Sequence, residues 1–115
     1  MIRILINVWY PLEKSDDVGK RYLEVEQVFP FPPIIKPAVA WETWATKSGL
    51  KGSGIFEVKT EGFEEAINYF VRRLTMYAEA IEGYRFEIAA SVTSEKGRKL
   101  IGKELSEFLI PDLKG

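Results

Sequence analysis

The sequence predicts an α+β fold built on an antiparallel sheet. Three observations point there. Residues alternate with a period of two at both ends of the first 93 positions, at Ile2, Ile4, Ile6 and Val8 and again at Phe86, Ile88, Ala90 and Val92. A helical stripe of Phe63, Ile67, Phe70, Leu74, Tyr77, Ala78 and Ile81 runs between them. The periodic segments follow one another as strand, helix, strand, strand, helix, strand, with a further helix at the end.

The first strand covers Ile2 to Val8, and both of its faces carry large side chains, as expected of a strand covered on each side. Pro11 ends it. Ser15 is positioned to cap the first helix, with Asp16 and Asp17 in the first turn against the positive end of the dipole. Val18, Tyr22, Val25 and Phe29 form its apolar stripe. Pro30, Pro32, Pro33 and Pro37 then make Phe31 to Lys36 a stiff extended connector, because each ring fixes φ and restricts the residue before it. A proline-rich ligand for a recognition domain is the less favoured reading of that stretch.

The second strand spans Ala38 to Lys47 and the third Ile55 to Thr60, with Lys47 to Gly54 as a glycine-rich hairpin loop. Pairing Trp44 with Phe56 puts Glu42, Trp44 and Thr46 on one face with Phe56 and Val58. Trp41, Thr43, Glu57 and Lys59 then occupy the other, and a slip of one residue exchanges the two sets. The second helix runs from Phe63 to Ile81 with Glu64 and Glu65 in its first turn, and Gly83 ends it. Tyr84 to Thr93 is the last strand. Ser94 caps a final helix over 94–110 bearing Leu100, Ile101, Leu105 and Phe108, and Pro111 to Gly115 is a tail.

This order is the ferredoxin-like split βαβ arrangement, with both main helices on one face of the sheet. Residues 1–115 make one domain, of which 1–93 are the βαββαβ core. Ile4, Ile6, Val8, Phe56, Val58, Phe86, Ile88 and Val92 face the helices. The second face carries Leu5, Asn7, Trp9, Trp41, Thr43, Glu57, Arg85 and Glu87, too apolar for a bare surface and too charged for a dry core. A homodimer packed sheet to sheet satisfies both conditions, with Arg85 meeting Glu57 or Glu87; higher assembly is left open.

Composition limits the chemistry. The 16 Lys and Arg balance 17 Asp and Glu, so no long-range field draws nucleic acid or an acidic membrane. With no cysteine and no histidine there is no disulfide, thiolate or imidazole chemistry. No apolar run reaches the ~20 residues of a membrane span, and a cytoplasmic location is expected. Abundant Glu and Lys with few Asn, Gln and Met lean toward a heat-adapted source. The stretch Lys51 to Val58 sits where RNA-recognition domains place base-stacking aromatics, but it offers Ser53 and Ile55 at those places, so RNA binding is disfavoured. Gly49, Gly52 and Gly54 precede a strand, whereas a phosphate cradle leads into a helix. Arg72-Arg73 and Lys96, Arg98, Lys99 and Lys103 read as solvated helix faces.

The candidate ligand-binding residues are Glu42, Trp44, Thr46, Tyr69 and Tyr77, in a pocket between sheet and helices. Glu42 is the candidate catalytic carboxylate, since an apolar pocket beside Trp44 would raise its pKa toward useful values. No metal ligand set and no cofactor cradle is recognisable.

Val8-Trp9-Tyr10-Pro11, Val18-Gly19-Lys20-Arg21-Tyr22-Leu23, Ala45-Thr46-Lys47 and Ile81-Glu82-Gly83-Tyr84-Arg85 resemble segments of small archaeal proteins of the dimeric α+β barrel superfamily. The resemblance covers most of the chain. It implies a homodimer with a pocket between sheet and helices; some members are monooxygenases, isomerases or haem enzymes, yet none of their catalytic sets can be placed on these residues. Small-molecule binding is the expected function. A cofactor-free enzyme using Glu42 or a tyrosine, and a purely structural assembly domain, are the alternatives.

Overall fold

A computed structural model describes residues 1–91. Its elements are β1 (Ile2–Tyr10), α1 (Ser15–Val28), β2 (Lys36–Thr46), β3 (Gly49–Val58), α2 (Phe63–Ala80) and β4 (Arg85–Ser91). The sheet order is β2-β3-β1-β4 and each pairing is antiparallel. Val92, Thr93, the helix expected over 94–110 and the tail lie outside the described residues.

Alternation in β1 translates directly into burial. Ile2, Ile4, Ile6 and Val8 are buried, and join Val25 of α1 with Ala66, Phe70, Leu74 and Tyr77 of α2 in one core. Both helices therefore lie on the same side of the sheet, leaving the other side open among the described residues. In α2 the buried stripe also takes in Arg73, while Ala78 falls outside it and is exposed.

Helix entry differs in detail from the sequence reading. A 3-10 turn at Leu12–Lys14 runs straight into α1, with the Lys14 amide donating to the Pro11 carbonyl at 3.0 Å. Ser15 is thus already helical, Lys14 holds the cap position, and no side chain caps the helix. A second 3-10 turn, Thr60–Gly62, leads into α2. Gly83, at φ 86°, makes the left-handed bend that lets the chain turn back into β4.

The larger correction concerns β2 and β3. The turn between them is Lys47-Ser48 alone, and Gly49 to Gly54 belong to β3 instead of a loop. Trp44 pairs with Lys51, not Phe56, because the tight Lys47-Ser48 turn sets the register of the strand ends beside it; register shifts between Pro37 and Val39 and between Val39 and Glu42 then alter the pairing toward the start of β2. Each shift inserts one extra residue on β2, and the move of the Trp44 partner from Phe56 to Lys51, an odd number of positions, exchanges the faces expected for β2. Glu42, Trp44 and Thr46 consequently lie opposite Ser53, Lys51 and Gly49 on the open face. Trp41 goes the other way. Its indole lies over Gly52 and Gly54, the neighbours of Val8 and Ile6, on the helix face.

Candidate functional site

The helix that covers β1 and β3 does so unevenly. Of the stripe Val18, Tyr22, Val25 and Phe29, only Val25 is buried; Val18 and Phe29 are half-buried and Tyr22 is exposed. Over β2, where every residue is exposed, no helix lies among the described residues. The space left under the N-terminal half of α1 and beside β2 is a cavity of about 650 Å³.

Its floor is the sheet, through Ile6, Val8, Phe56 and the Trp41 ring. That ring is seated by absence: a Cβ added at Gly54 would stand 2.6 Å from Trp41 Cε3, and one at Gly52 would stand 2.7 Å from Cζ2. One end of the cavity is a stack of three phenols. Tyr84 is parallel to Tyr77 at 5.1 Å and to Tyr10 at 6.0 Å, with interplanar angles of 11° and 10°. Phe31, Phe56 and Phe70 contribute further rings, with Phe31 stacked on Phe56 at 5.4 Å.

Charge enters the lining as an ion pair. Arg73 of α2, only 6 % exposed, bonds Glu26 of α1 through Nη2 and donates from Nη1 to the Phe29 carbonyl at 2.7 Å. Its guanidinium carbon stands 4.5 Å from the Phe31 ring centre, so the cation is satisfied on three sides. Burial alone would lower the Arg73 pKa, but the bond to Glu26 and the neighbouring tyrosines raise it overall. Burial pushes the Tyr77 hydroxyl up to about 12 and raises Tyr84 further, with Tyr10 also raised. These phenols are neutral at ordinary pH. The cavity wall is aromatic, apolar and without net charge.

Of the ligand-binding residues selected from the sequence, only Tyr77 lines this cavity; Trp41, expected at a dimer interface, lines it as well. Glu42, Trp44 and Thr46 are on the opposite face of the sheet, as the register requires, so the apolar surroundings expected for Glu42 are absent there. Tyr69 borders a second, more polar hollow of about 540 Å³ with Glu61, Glu64, Glu65 and Arg72, and its hydroxyl donates to the Phe29 carbonyl at 2.7 Å. Among the described residues no group of three or more carboxylates is arranged to hold a metal ion.

On the open face, Asn7 donates to Glu87 at 3.2 Å and accepts from Ser53. Glu57 pairs with Arg3 at 3.5 Å, and within the chain Arg85 forms no ion pair with Glu57 or Glu87 among the described residues. Lys51 lies between two indoles, 5.3 Å from Trp9 and 5.5 Å from Trp44. Trp44 thus takes the place that the sequence reading gave Trp41, beside Leu5, Asn7, Trp9, Glu57, Arg85 and Glu87.

Tyr10, Tyr22, Phe31, Tyr84, Glu26 and Arg73 were not selected from the sequence as site residues. One signal for the Trp41 seat was available: Gly52 and Gly54, two apart, leave a bare strip on one face of a strand, which invites a large ring from the strand beside it.

No protein-family model matches the chain, and no curated protein matches it. Solved structures do. A de novo designed protein, Foldit4, aligns at TM-score 0.54 with 15% identity, covering 80% of this chain and 97% of that one. An antibiotic biosynthesis monooxygenase aligns at 0.52 with 13% identity over 81% and 98%, and a conserved protein from Methanosarcina mazei Go1 at 0.52 with 9% identity over 81% and 92%. The fold is ferredoxin-like. At these identities the similarity is one of backbone arrangement, and a designed protein shares it, so fold alone assigns no activity. Among the described residues of this ferredoxin-like chain no helix is long and apolar enough to cross a membrane.

Proposed function

We propose that the chain binds a small apolar molecule in the cavity between the sheet and the two helices. The observation that carries this reading is a coincidence of exposure. Tyr22 (48 %), Phe31 (41 %), Val39 (45 %) and Trp41 (46 %) are large apolar side chains left open to solvent, and all line the one cavity. Scattered exposed apolar residues need no explanation, but several converging on one concavity do. Its volume falls within the range of about 300–1,000 Å³ typical of ligand sites.

The open face of the sheet suits self-association as part of the same proposal, as in a dimeric α+β barrel. Leu5, Ile55 and the Trp9-Lys51-Trp44 arrangement provide apolar area, and Arg3, Glu57, Arg85 and Glu87 provide both signs of charge for a two-fold contact. The cavity lies on the other side of the sheet, so a ligand and a second copy do not compete.

Native mass spectrometry of the purified chain tests both halves. The expected result is a dimer that carries a reproducible small mass, released on denaturation. Protein that is ligand-free from every preparation and fails to take up hydrophobic probes would remove the binding reading, and a monomer at micromolar concentration would remove the self-association.

A further inference from the structure

The cavity's chemistry narrows what it takes, and this step rests on the binding reading above. Trp41 is held flat against β3 because Gly52 and Gly54 have no side chains there; any Cβ at either position would overlap the indole. One face of the ring is thus committed to the backbone. The remaining surface, nearly half of the residue, is open to the cavity it lines. An indole fixed in this way is a flat platform prepared before any ligand arrives, and it loses little side-chain freedom when something stacks on it.

The charged groups facing the same space are Glu26 and Arg73, and they neutralise each other. Arg73 has its further contacts at the Phe29 carbonyl and the Phe31 ring. Among the described residues lining the cavity no free cation or carboxylate remains to pair with a charged ligand, and burying an unpaired charge is costly. The remaining polar capacity comes from neutral donors and acceptors, among them the phenols of Tyr10, Tyr22, Tyr77 and Tyr84 and the hydroxyl of Ser15.

We infer that the ligand class is an uncharged, planar aromatic molecule bearing a hydroxyl or carbonyl oxygen, and that Trp41 is the specificity-determining residue on which it stacks. A saturated ring of equal size fills the same volume without offering a π-face. An aromatic carboxylate offers the face but brings a charge with no partner.

Three probes separate these contributions: 2-naphthol, its saturated counterpart decahydro-2-naphthol, and 2-naphthoate, each titrated by calorimetry into the full 115-residue chain and into Trp41→Leu. Wild type is expected to bind 2-naphthol roughly three- to ten-fold more tightly than decahydro-2-naphthol, the increment an aromatic pair adds beyond buried area, and more tightly than 2-naphthoate. In Trp41→Leu the naphthol-to-decahydronaphthol ratio should fall to near one. Equal affinities for the two neutral probes in wild type, or a ratio unchanged by Trp41→Leu, would overturn the stacking role while leaving a general apolar cavity intact. Tightest binding of 2-naphthoate would overturn the uncharged class. Failure of all three to bind would remove the binding reading itself and this inference with it. A second variant, Trp41→Phe, guards against a folding defect, because it keeps a ring on the glycine seat and should restore most of the preference.

Discussion

Arg73 on α2 and Glu26 on α1 form an ion pair between the two helices, and the same guanidinium holds the Phe29 carbonyl where α1 gives way to the proline-rich connector. One side chain therefore fixes the helix pair and the start of the loop that carries Phe31 over Phe56. Removing it leaves the Glu26 carboxylate without this donor and the Phe29 carbonyl with the Tyr69 hydroxyl alone. Arg73→Ala should cost about 2–4 kcal/mol of stability, below the upper range for a broken buried pair because Glu26 is one-third exposed. Urea denaturation measures this, and Glu26→Gln should cost less than Arg73→Ala.

Gly54 exists to let Trp41 lie down. Gly54→Ala should destabilise by about 1–3 kcal/mol as the new methyl group drives the indole off the sheet. In a Trp41→Ala background the same change should cost much less, which a double-mutant cycle followed by thermal melting will read out.

Gly49 closes the β2-β3 turn at φ 136°, and a Cβ there would stand 2.5 Å from the Tyr10 carbonyl oxygen. Backbone strain and overlap act together at this position. Gly49→Ala is expected to lower stability by about 2–4 kcal/mol. Substitution at the exposed Gly19, whose Cβ would meet no atom within 4 Å, serves as the contrasting control.

Alkaline stability should follow the stacked phenols. Tyr77 ionises near 10.0 in the unfolded chain and is pushed up to about 12 by burial in the folded one. The unfolded state loses its proton first, so stability is fully present below pH 10 and declines as pH rises from there through about 12. Tyr84, raised further, acts in the same direction. Thermal melts against pH should show this decline, and Tyr77→Phe should make it shallower.

The open face gives a separate test of self-association. Trp9→Glu should convert a dimer to a monomer by size-exclusion chromatography with light scattering, while 2-naphthol affinity stays unchanged because the cavity is on the other side of the sheet.

Much of this fold is legible in the sequence because its signals are local. Ile2, Ile4, Ile6 and Val8 alternate, α2 repeats its apolar stripe, and the element order restricts the topology; the described sheet and both helices follow. The site is far less legible, for reasons of register and of long-range pairing. A two-residue turn at Lys47-Ser48, in place of a loop reaching Gly54, sent Trp41 to the helices and Glu42, Trp44 and Thr46 to the open face, and the glycines at 49, 52 and 54 read as loop although they are strand. Arg73 reads as a solvated cation beside Arg72, since its partners Glu26 and Phe29 are more than forty positions away. Tyr22 carries the signature of a core residue, and only the geometry reveals that the space beneath it is open.

The three tryptophans allow one decisive observation. Trp41 is on the cavity side of the sheet, whereas Trp9 and Trp44 are on the open side, so the indole N–H resonances in a proton–nitrogen correlation spectrum report each face separately. Titrating 2-naphthol into the full-length chain should move the Trp41 resonance in a saturable manner while those of Trp9 and Trp44 stay in place. Movement of Trp9 and Trp44 with Trp41 unperturbed would locate binding on the open face and contradict a ligand site between the sheet and the helices.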